Sequence, residues 1–474
     1  MNDRDLSRRR FLLSGAAAAA VTAGGKLSLA AGAPAASRPA TTRAAATTTA
    51  ARGPRPLPAT TRTKYSQIRV ACIGVGGRGW DNLNEMVKAG ANVVALCDID
   101  AQRLDRAAAG LPGAKKYADF RQLFDRQGND IDAVVVSTPD HTHAPAAMRA
   151  IRSGKHVYCE KPLTYDIHEA RVLTQAAAKH RVKTQMGNQG AALEASRRQV
   201  EYVRSGIAGA IREVHVYTNR PVWPQGLKRP EKSADAPKHI NFDAWLGPAP
   251  QRPYHVNDAG ESVYLPFKWR GYWDFGTGAL GDMACHLMNT AYWALNLTNP
   301  ASVEAFSYGA TDVQGPNWSI IKYEFPQLGP RPPVTVFWYE GHLLPPTTVM
   351  KGKPFPGLEG NGTIFVGEKA TIAAGYTKDP FLADEQQQKD VKPPEKFMPR
   401  SIGHHAEWLE SILGGPDGSS SFDHSGPLTE MVLLGNLAVR TGRRVEWDVA
   451  RMKVTNDRDA QQYVKREYRK GWEL

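Results

Sequence analysis

Ile68-Arg69-Val70-Ala71-Cys72-Ile73-Gly74-Val75-Gly76-Gly77-Arg78-Gly79 decides the first half of this chain. The apolar run 68–73 has the length and composition of a buried parallel strand. A glycine turn follows at once, then an amphipathic stretch over 80–89, then a second strand over 92–97 that stops at Asp98. Strand, G-x-G-x-x-G, helix and strand make a βαβ unit. Gly74 permits the tight turn, and Gly76 lets a pyrophosphate approach the backbone. Gly79 lets helix and strand pack closely, and the helix N-terminus faces the phosphates. Asp98, about twenty residues on, is placed for ribose hydroxyls and repels a 2′-phosphate. NAD is therefore favoured, while Arg78 and Arg103 leave NADP open. A glycine-rich loop without a ligand is the plain alternative, and the flanking elements and the acid speak against it.

The alternation continues. Residues 131–136 form a strand ending in Ser137-Thr138-Pro139-Asp140-His141-Thr142-His143, and a helix is expected from about 144 to 153. Residues 155–159 form another strand, ending in Glu160-Lys161-Pro162. A helix carrying Glu169 and Ala176 leads to a strand over 181–186 and to Gly187-Asn188-Gln189. In an open parallel sheet ligands bind beyond the carboxyl ends of the strands, and all three polar clusters sit there. His141 and His143 could suggest a metal, but no Cys or carboxylate set stands at ligand spacing around them, so none is expected.

After residue 190 the texture changes. Strand-like runs at 212–218, 302–308, 320–325, 334–339 and 363–366 predict one large, mainly antiparallel sheet. Between them lies Gly276-Thr277-Gly278-Ala279-Leu280-Gly281-Asp282-Met283-Ala284-Cys285-His286-Leu287-Met288-Asn289. Asp282 and His286 are four apart and share one helix face. They are either a surface pair worth a few tenths of a kcal/mol or a catalytic pair. Trp223, Tyr254, Tyr264, Trp269, Tyr272 and Trp273, interleaved with Arg220 and Arg270, suit either core packing or the face of a sugar ring. His404 and His405 are further pocket candidates.

GVGGRG, CD, TPDHTHA, CEKPL and GNQG, in this order and spacing, resemble the Gfo/Idh/MocA oxidoreductase family. The resemblance covers about residues 66–450. It implies a Rossmann dinucleotide-binding domain over 66–188, a substrate and oligomerisation α+β domain with an open sheet over 189–450, and a C-terminal tail over 451–474. It places Lys161 at the junction of substrate and nicotinamide, with the Lys161–Pro162 bond often cis. It makes Lys161, Asp282 and His286 the catalytic set. The cofactor contacts it implies are Gly74, Gly76, Gly77, Arg78, Gly79, Asp98, Thr138, Pro139, His143, Glu160, Lys161 and Asn188. The substrate contacts are Arg220, Trp223, Trp269, Arg270 and Asn289. Oxidation of a secondary alcohol needs a base for the hydroxyl proton and a hydride acceptor, and either His286 or Lys161 can take the proton. A homo-oligomer is expected.

The net charge of +13 invites a nucleic-acid reading, but residues 1–60 hold nine of the 60 basic and two of the 47 acidic residues. The rest carries +6 without a dense basic cluster, so no nucleic-acid partner is expected. Ser7-Arg8-Arg9-Arg10-Phe11-Leu12 followed by an alanine run reads as a twin-arginine export signal over 1–36, too short in its apolar part to span a membrane. Residues 37–65, rich in Ala, Thr, Pro and Arg, are expected to be a disordered linker. Cys72, Cys97, Cys159 and Cys285 lack CxxC spacing and read as small core residues, consistent with folding in a reducing compartment before export.

The whole therefore reads as an exported, NAD(P)-dependent oxidoreductase of a sugar, glycoside or cyclitol, with tightly held cofactor and a periplasmic location. Two other readings stay open: an NAD-dependent glycosidase working by transient oxidation and elimination, and a non-catalytic sugar-binding protein.

Overall fold

The structure is a computed structural model and describes residues 63–298, 300–352 and 360–474. The expected export signal and the expected linker as far as residue 62 lie outside the described residues. Three residues of that expected linker, 63–65, are structured: Thr63 caps a 3-10 turn, Lys64–Gln67, and donates to the Ala89 carbonyl.

Six parallel strands make the first sheet: β1 (Arg69–Ile73), β2 (Asn92–Cys97), β3 (Lys115–Tyr117), β4 (Ala133–Val136), β5 (His156–Glu160) and β6 (Thr184–Gly187). Their order is β3-β2-β1-β4-β5-β6, the doubly wound arrangement of a dinucleotide fold. All four residues of β4 are buried, as a strand covered on both faces requires. The connecting helices are α1 (Arg78–Ala89), α2 (Ala101–Ala109), α3 (Phe120–Gln127), α4 (Asp140–Arg152) and α5 (Ile167–His180). Asp100 caps α2, and an Asp166–Glu169 capping box opens α5. β3 carries no sequence signal because it is a three-residue edge strand, Lys-Lys-Tyr, with one buried side chain. α4 starts at Asp140, four residues earlier than the periodicity suggests. Pro139-Asp140 was the available start signal.

The second sheet has nine strands: β7 (Ile211–Thr218), β10 (Ser302–Tyr308), β11 (Trp318–Phe325), β12 (Val334–Glu340), β13 (Asn361–Gly367), β14 (Thr371–Gly375), β15 (Phe381–Leu382), β16 (Val445–Asp448) and β17 (Lys453–Val454). A separate two-stranded ribbon holds β8 (Ser233–Ala234) and β9 (Tyr254–His255). The order of the large sheet is β15-β14-β13-β7-β12-β11-β10-β16-β17, antiparallel except where β12 meets β7. β11 alternates: Ser319, Ile321, Tyr323 and Phe325 are buried, and their neighbours are half-buried. The helices of this half are α6 (Glu194–Arg204), α7 (Phe242–Leu246), α8 (Gly278–Leu287), α9 (Asn289–Leu295), α10 (Glu385–Asp390), α11 (His404–Ile412) and α12 (Phe422–Thr441).

The sequence boundary at residue 189 is crossed twice. α12 packs on α5, β6, α8 and β10, and the Met186 amide donates to Ser420 O beside it. Trp408 and Leu409 of α11 join Val70 and Leu83 in one core cluster. Residues 404–441 therefore cover the outer edge of the dinucleotide sheet, and a single apolar core runs from Val134 through Leu434 to Tyr323. Residues 451–474, set apart as a tail by the sequence, pack as well: β17 pairs with β16, and Trp472 is buried against Phe120. All four cysteines are buried and unpaired. Among the described residues no helix is long and apolar enough to cross a membrane.

Candidate active site

A cavity of about 570 Å³ opens above the carboxyl ends of β1, β2, β4 and β5. Its dinucleotide half is built by backbone proximity. A Cβ on Gly79 would lie 2.0 Å from Gly74 O, so this glycine is what lets α1 pack onto the turn. Gly74 itself has φ +81°, and a Cβ there would meet Ser137 O at 2.6 Å. Gly77 precedes α1 with φ +53°, and nothing lies where its Cβ would be. No side chain caps α1; the Gly79 and Trp80 amides donate to Gly76 O (3.0 Å) and Gly77 O (3.1 Å), and the helix start meets the cavity at Gly77 and Arg78. Asp98 follows β2, its carboxylate accepting from Val75 N (2.8 Å) and Asp100 N (2.9 Å). Burial raises its pKa against those bonds. The Thr138 hydroxyl, in the same wall, is buried without a hydrogen-bond partner. A glycine turn open at Gly77, with the Arg103 side chain over Gly76, an uncapped helix start, an acid past β2 and an orphan hydroxyl are the features an NAD molecule fits. Arg78 and Arg103 both reach the wall, but each is engaged by acids: Arg78 by Glu160 and Asp81 (both 3.4 Å), Arg103 by Asp100 (3.2 Å).

The opposite half is built by β5 and α8. Lys161 follows β5 through a cis bond to Pro162, and its Nζ lies 2.6 Å from Asp282 Oδ1. Arg270 Nε reaches the same oxygen at 3.3 Å. Burial alone would raise the Asp282 pKa, but the Lys161 and Arg270 cations outweigh it and hold it at about 2. One turn on, His286 enters the cavity wall. Burial and the neighbouring Lys161 charge push it down to about 3, so the ring is neutral near pH 7. Asp140 fixes the start of α8, accepting from Thr277 N (3.1 Å) and Thr277 Oγ1 (2.7 Å). A Cβ on Gly281 would stand 1.9 Å from Thr277 Oγ1, so this glycine leaves room for the Thr277 side chain that bonds Asp140.

Of the residues singled out in the sequence, Gly74, Gly76, Gly77, Arg78, Asp98, Thr138, Pro139, Glu160, Lys161, Trp269, Arg270 and His286 line this cavity, with Asp282 directly behind Lys161. The others lie elsewhere. Gly79 serves packing. His143 bonds Pro162 O and Thr138 O (2.8 Å each) and so holds the two loops together from behind. Asn188 donates to Cys285 O, and Asn289 accepts from His424, both in the interior. Trp223 is buried with its Nε1 on Gln225, and Arg220 bonds its neighbour Asn219. Tyr264, Tyr272 and Trp273 are core. His404 and His405 open α11; the first bonds Met186 O and the second stacks on Tyr158 (5.0 Å between centroids), so neither reaches the cavity.

The sequence reading missed several participants. Asn82 and Gln189 each donate to Glu160 Oε1 (2.9 Å). Tyr376, on the turn after β14, places its hydroxyl 3.0 Å from His286 Nδ1. Leu265, Pro266 and Phe267 form an apolar wall beside Trp269. Gln189 was visible in GNQG; Tyr376 had no signal at all.

Residues 68–188 match the oxidoreductase family with an NAD-binding Rossmann fold, and residues 205–327 match its C-terminal alpha/beta domain. The chain belongs to the Gfo/Idh/MocA oxidoreductase family. Among curated members, inositol 2-dehydrogenase 4 of Saccharopolyspora erythraea is 38% identical over 124 residues, 26% of this chain and 36% of that protein. A glycosyl hydrolase family 109 protein of Shewanella pealeana is 35% identical over 122 residues, 24% of this chain and 27% of that protein. The chain thus spans about a third of the length of these curated relatives. Among solved structures, the WlbA dehydrogenase from Bordetella pertussis, in complex with NADH and UDP-GlcNAcA, superposes with a TM-score of 0.56 at 16% identity. The match covers 81% of this chain and 99% of that one, and the likeness is one of fold. As a Gfo/Idh/MocA oxidoreductase, the chain carries the family's NAD-binding domain.

Proposed function

We propose that this Gfo/Idh/MocA protein oxidises a secondary hydroxyl of a sugar, glycoside or cyclitol, and that it works outside the cytoplasm with NAD kept in place. The observation that supports this reading most is the meeting of Lys161, Asp282 and His286 at one end of a cavity whose other end is the dinucleotide cradle. NAD, when bound, supplies the hydride acceptor. The chain's own residues do the rest. Lys161, held by Asp282, donates a hydrogen bond to the substrate oxygen and stabilises the alkoxide as it develops. His286 is neutral, and with Nδ1 engaged by Tyr376 its Nε2 is left to take the hydroxyl proton. Arg270 stands over Trp269 with its guanidinium 4.3 Å from the ring centroid, giving a polar-aromatic wall suited to a ring carrying hydroxyls.

The match to a family 109 glycosyl hydrolase supports a second reading. There the oxidation is transient: a hydroxyl is oxidised, the aglycone is eliminated, water adds, and the ketone is reduced again, so that NAD is restored within each turnover. Ser7–Arg10 supports export of a folded, cofactor-loaded chain.

One experiment separates the readings. Purified protein is offered a panel of cyclitols, free sugars and aryl glycosides while reduced cofactor and released aglycone are followed together. Accumulating reduced cofactor without cleavage supports the dehydrogenase. Aglycone release without net reduction supports the glycosidase. Neither signal from any member of the panel refutes both. Export is tested by replacing Arg8 and Arg9 with lysine, and normal periplasmic recovery of that variant refutes it.

A further inference from the structure

Residues 464–474, which follow the 3-10 turn Asp459–Tyr463, bring one side chain, Trp472, into the wall of the cofactor cleft. Trp472 lines the cavity together with Asp98, Ala118, Asp119 and Phe120. Asp98 follows β2 and Phe120 opens the helix after β3, so Trp472 stands on the β2–β3 side. In a sheet of this order that side takes the adenosine half of a dinucleotide. Lys161, at the end of β5, marks the other side. The Trp472 ring meets Phe120 edge-on at 5.7 Å, and the Arg121 guanidinium lies 3.8 Å from its centroid. Two arginines anchor the segment. Arg469 donates to Gly247 O and Asp243 O (2.8 Å each) and to Gln251 Oε1 (2.6 Å), and it pairs with the Asp243 carboxylate. Arg466 donates to His141 O (2.6 Å) and pairs with Glu169. The first anchor grips the second domain, and the second grips α4 and α5 of the dinucleotide domain.

We propose that residues 464–474 are a strap across the adenosine side of the NAD cleft, with Trp472 as its cofactor-contacting residue, and that NAD leaves by that side only when the strap detaches. The inference rests on NAD binding but not on which substrate is oxidised. Detachment breaks the Arg469 anchor and exposes a tryptophan that is 4% accessible, so it is infrequent and release is slow. A retained cofactor is what an enzyme working away from the cytoplasmic nucleotide pool requires.

The test uses the full chain loaded with NADH. Release is followed by loss of cofactor fluorescence on a chase of unlabelled NAD, in wild type, Trp472→Ala and Arg469→Gln. Losing an aromatic wall against a base is expected to speed release about tenfold or more. Affinity for ADP-ribose should weaken in step, while affinity for nicotinamide mononucleotide stays at the wild-type value. Wild-type release in both variants overturns the strap, as does an equal loss of affinity for both half-molecules. Should Trp472→Ala fail to fold, Arg469→Gln decides, because Arg469 lies outside the cavity wall. Wild-type NADH binding is the internal control, and its absence overturns the cofactor and the strap together.

Discussion

Tyr376 Oη lies 3.0 Å from His286 Nδ1, joining the turn after β14 of the second sheet to the helix that carries Asp282 and His286. A Cβ at Gly190 would come within 2.5 Å of that hydroxyl, so the tyrosine reaches the histidine past a residue that has no side chain. Burial pushes the Tyr376 hydroxyl well up, and it stays protonated at every working pH. Its contact selects which ring nitrogen of His286 remains for the substrate.

Tyr376→Phe should therefore lower kcat by roughly tenfold with little change in KM, because ring orientation rather than substrate binding is lost. Steady-state kinetics on the best substrate check this. A rise in KM at constant kcat would contradict it.

Lys161→Ala, Asp282→Ala and His286→Ala should each reduce turnover by about 10²–10⁴-fold. The double variants should fall little further, since the groups act as one unit. Asp282→Ala should also lower the melting temperature, because it leaves the Lys161 and Arg270 cations facing each other without their shared carboxylate. Lys161→Ala should be milder in stability. Calorimetry alongside single-turnover kinetics separates the two effects.

Gly281→Ala should be costly despite adding one methyl group. The new Cβ would overlap Thr277 Oγ1 at the start of the same helix, while its 3.5 Å to the Pro162 ring is ordinary contact. Overpacking of this kind typically costs about 1–3 kcal/mol. The displaced Thr277 hydroxyl would also give up its bond to Asp140, a residue of the cavity wall. Urea unfolding and NAD binding measure the two consequences, and wild-type stability would disprove the packing account.

Asp98→Ala should weaken NAD far more than NADP. The acid that favours free ribose hydroxyls is then gone, while Arg78 and Arg103 remain in the wall. Calorimetric titration with both nucleotides gives the ratio.

Stability should fall as pH is lowered from about 7 to 5. His141, His286, His404, His405 and His424 are held at about 3 or 4, with burial the first cause in each. The unfolded chain takes up those protons near pH ~6.5 while the folded chain does not, so acid favours unfolding. Asp166 and Glu340, raised to about 7 by burial, act in the opposite sense, since the folded chain binds their protons first. Burial also raises Asp98 and Asp140 and lowers His156, His168 and His255, so eight lowered histidines stand against four raised acids and leave a net loss. Scanning calorimetry across this pH range should show a falling melting temperature, and a flat profile would contradict it.

The sequence by itself determined the dinucleotide sheet, because its signals are local. A buried strand, a turn that needs glycines and an acid at the next strand's end lie within thirty-one residues of chain. The pairing of Asp282 with His286 is local too, being one helical turn. The mainly antiparallel sheet was legible from five strand-like runs, two of which, 334–339 and 363–366 in β12 and β13, alternate in part. What tertiary structure decided is everything that depends on long returns of the chain. The ion pair between Lys161 and Asp282 spans 121 positions, and Trp472 reaches Phe120 from the far end of the described residues. Aromatic residues showed the same limit. Trp223, Tyr264 and Trp273 became core while Trp269 reached the cavity, although all four look alike in sequence. An aromatic side chain is placed by whichever surface it can bury against, and that surface exists only once the two sheets and the α11–α12 return have come together.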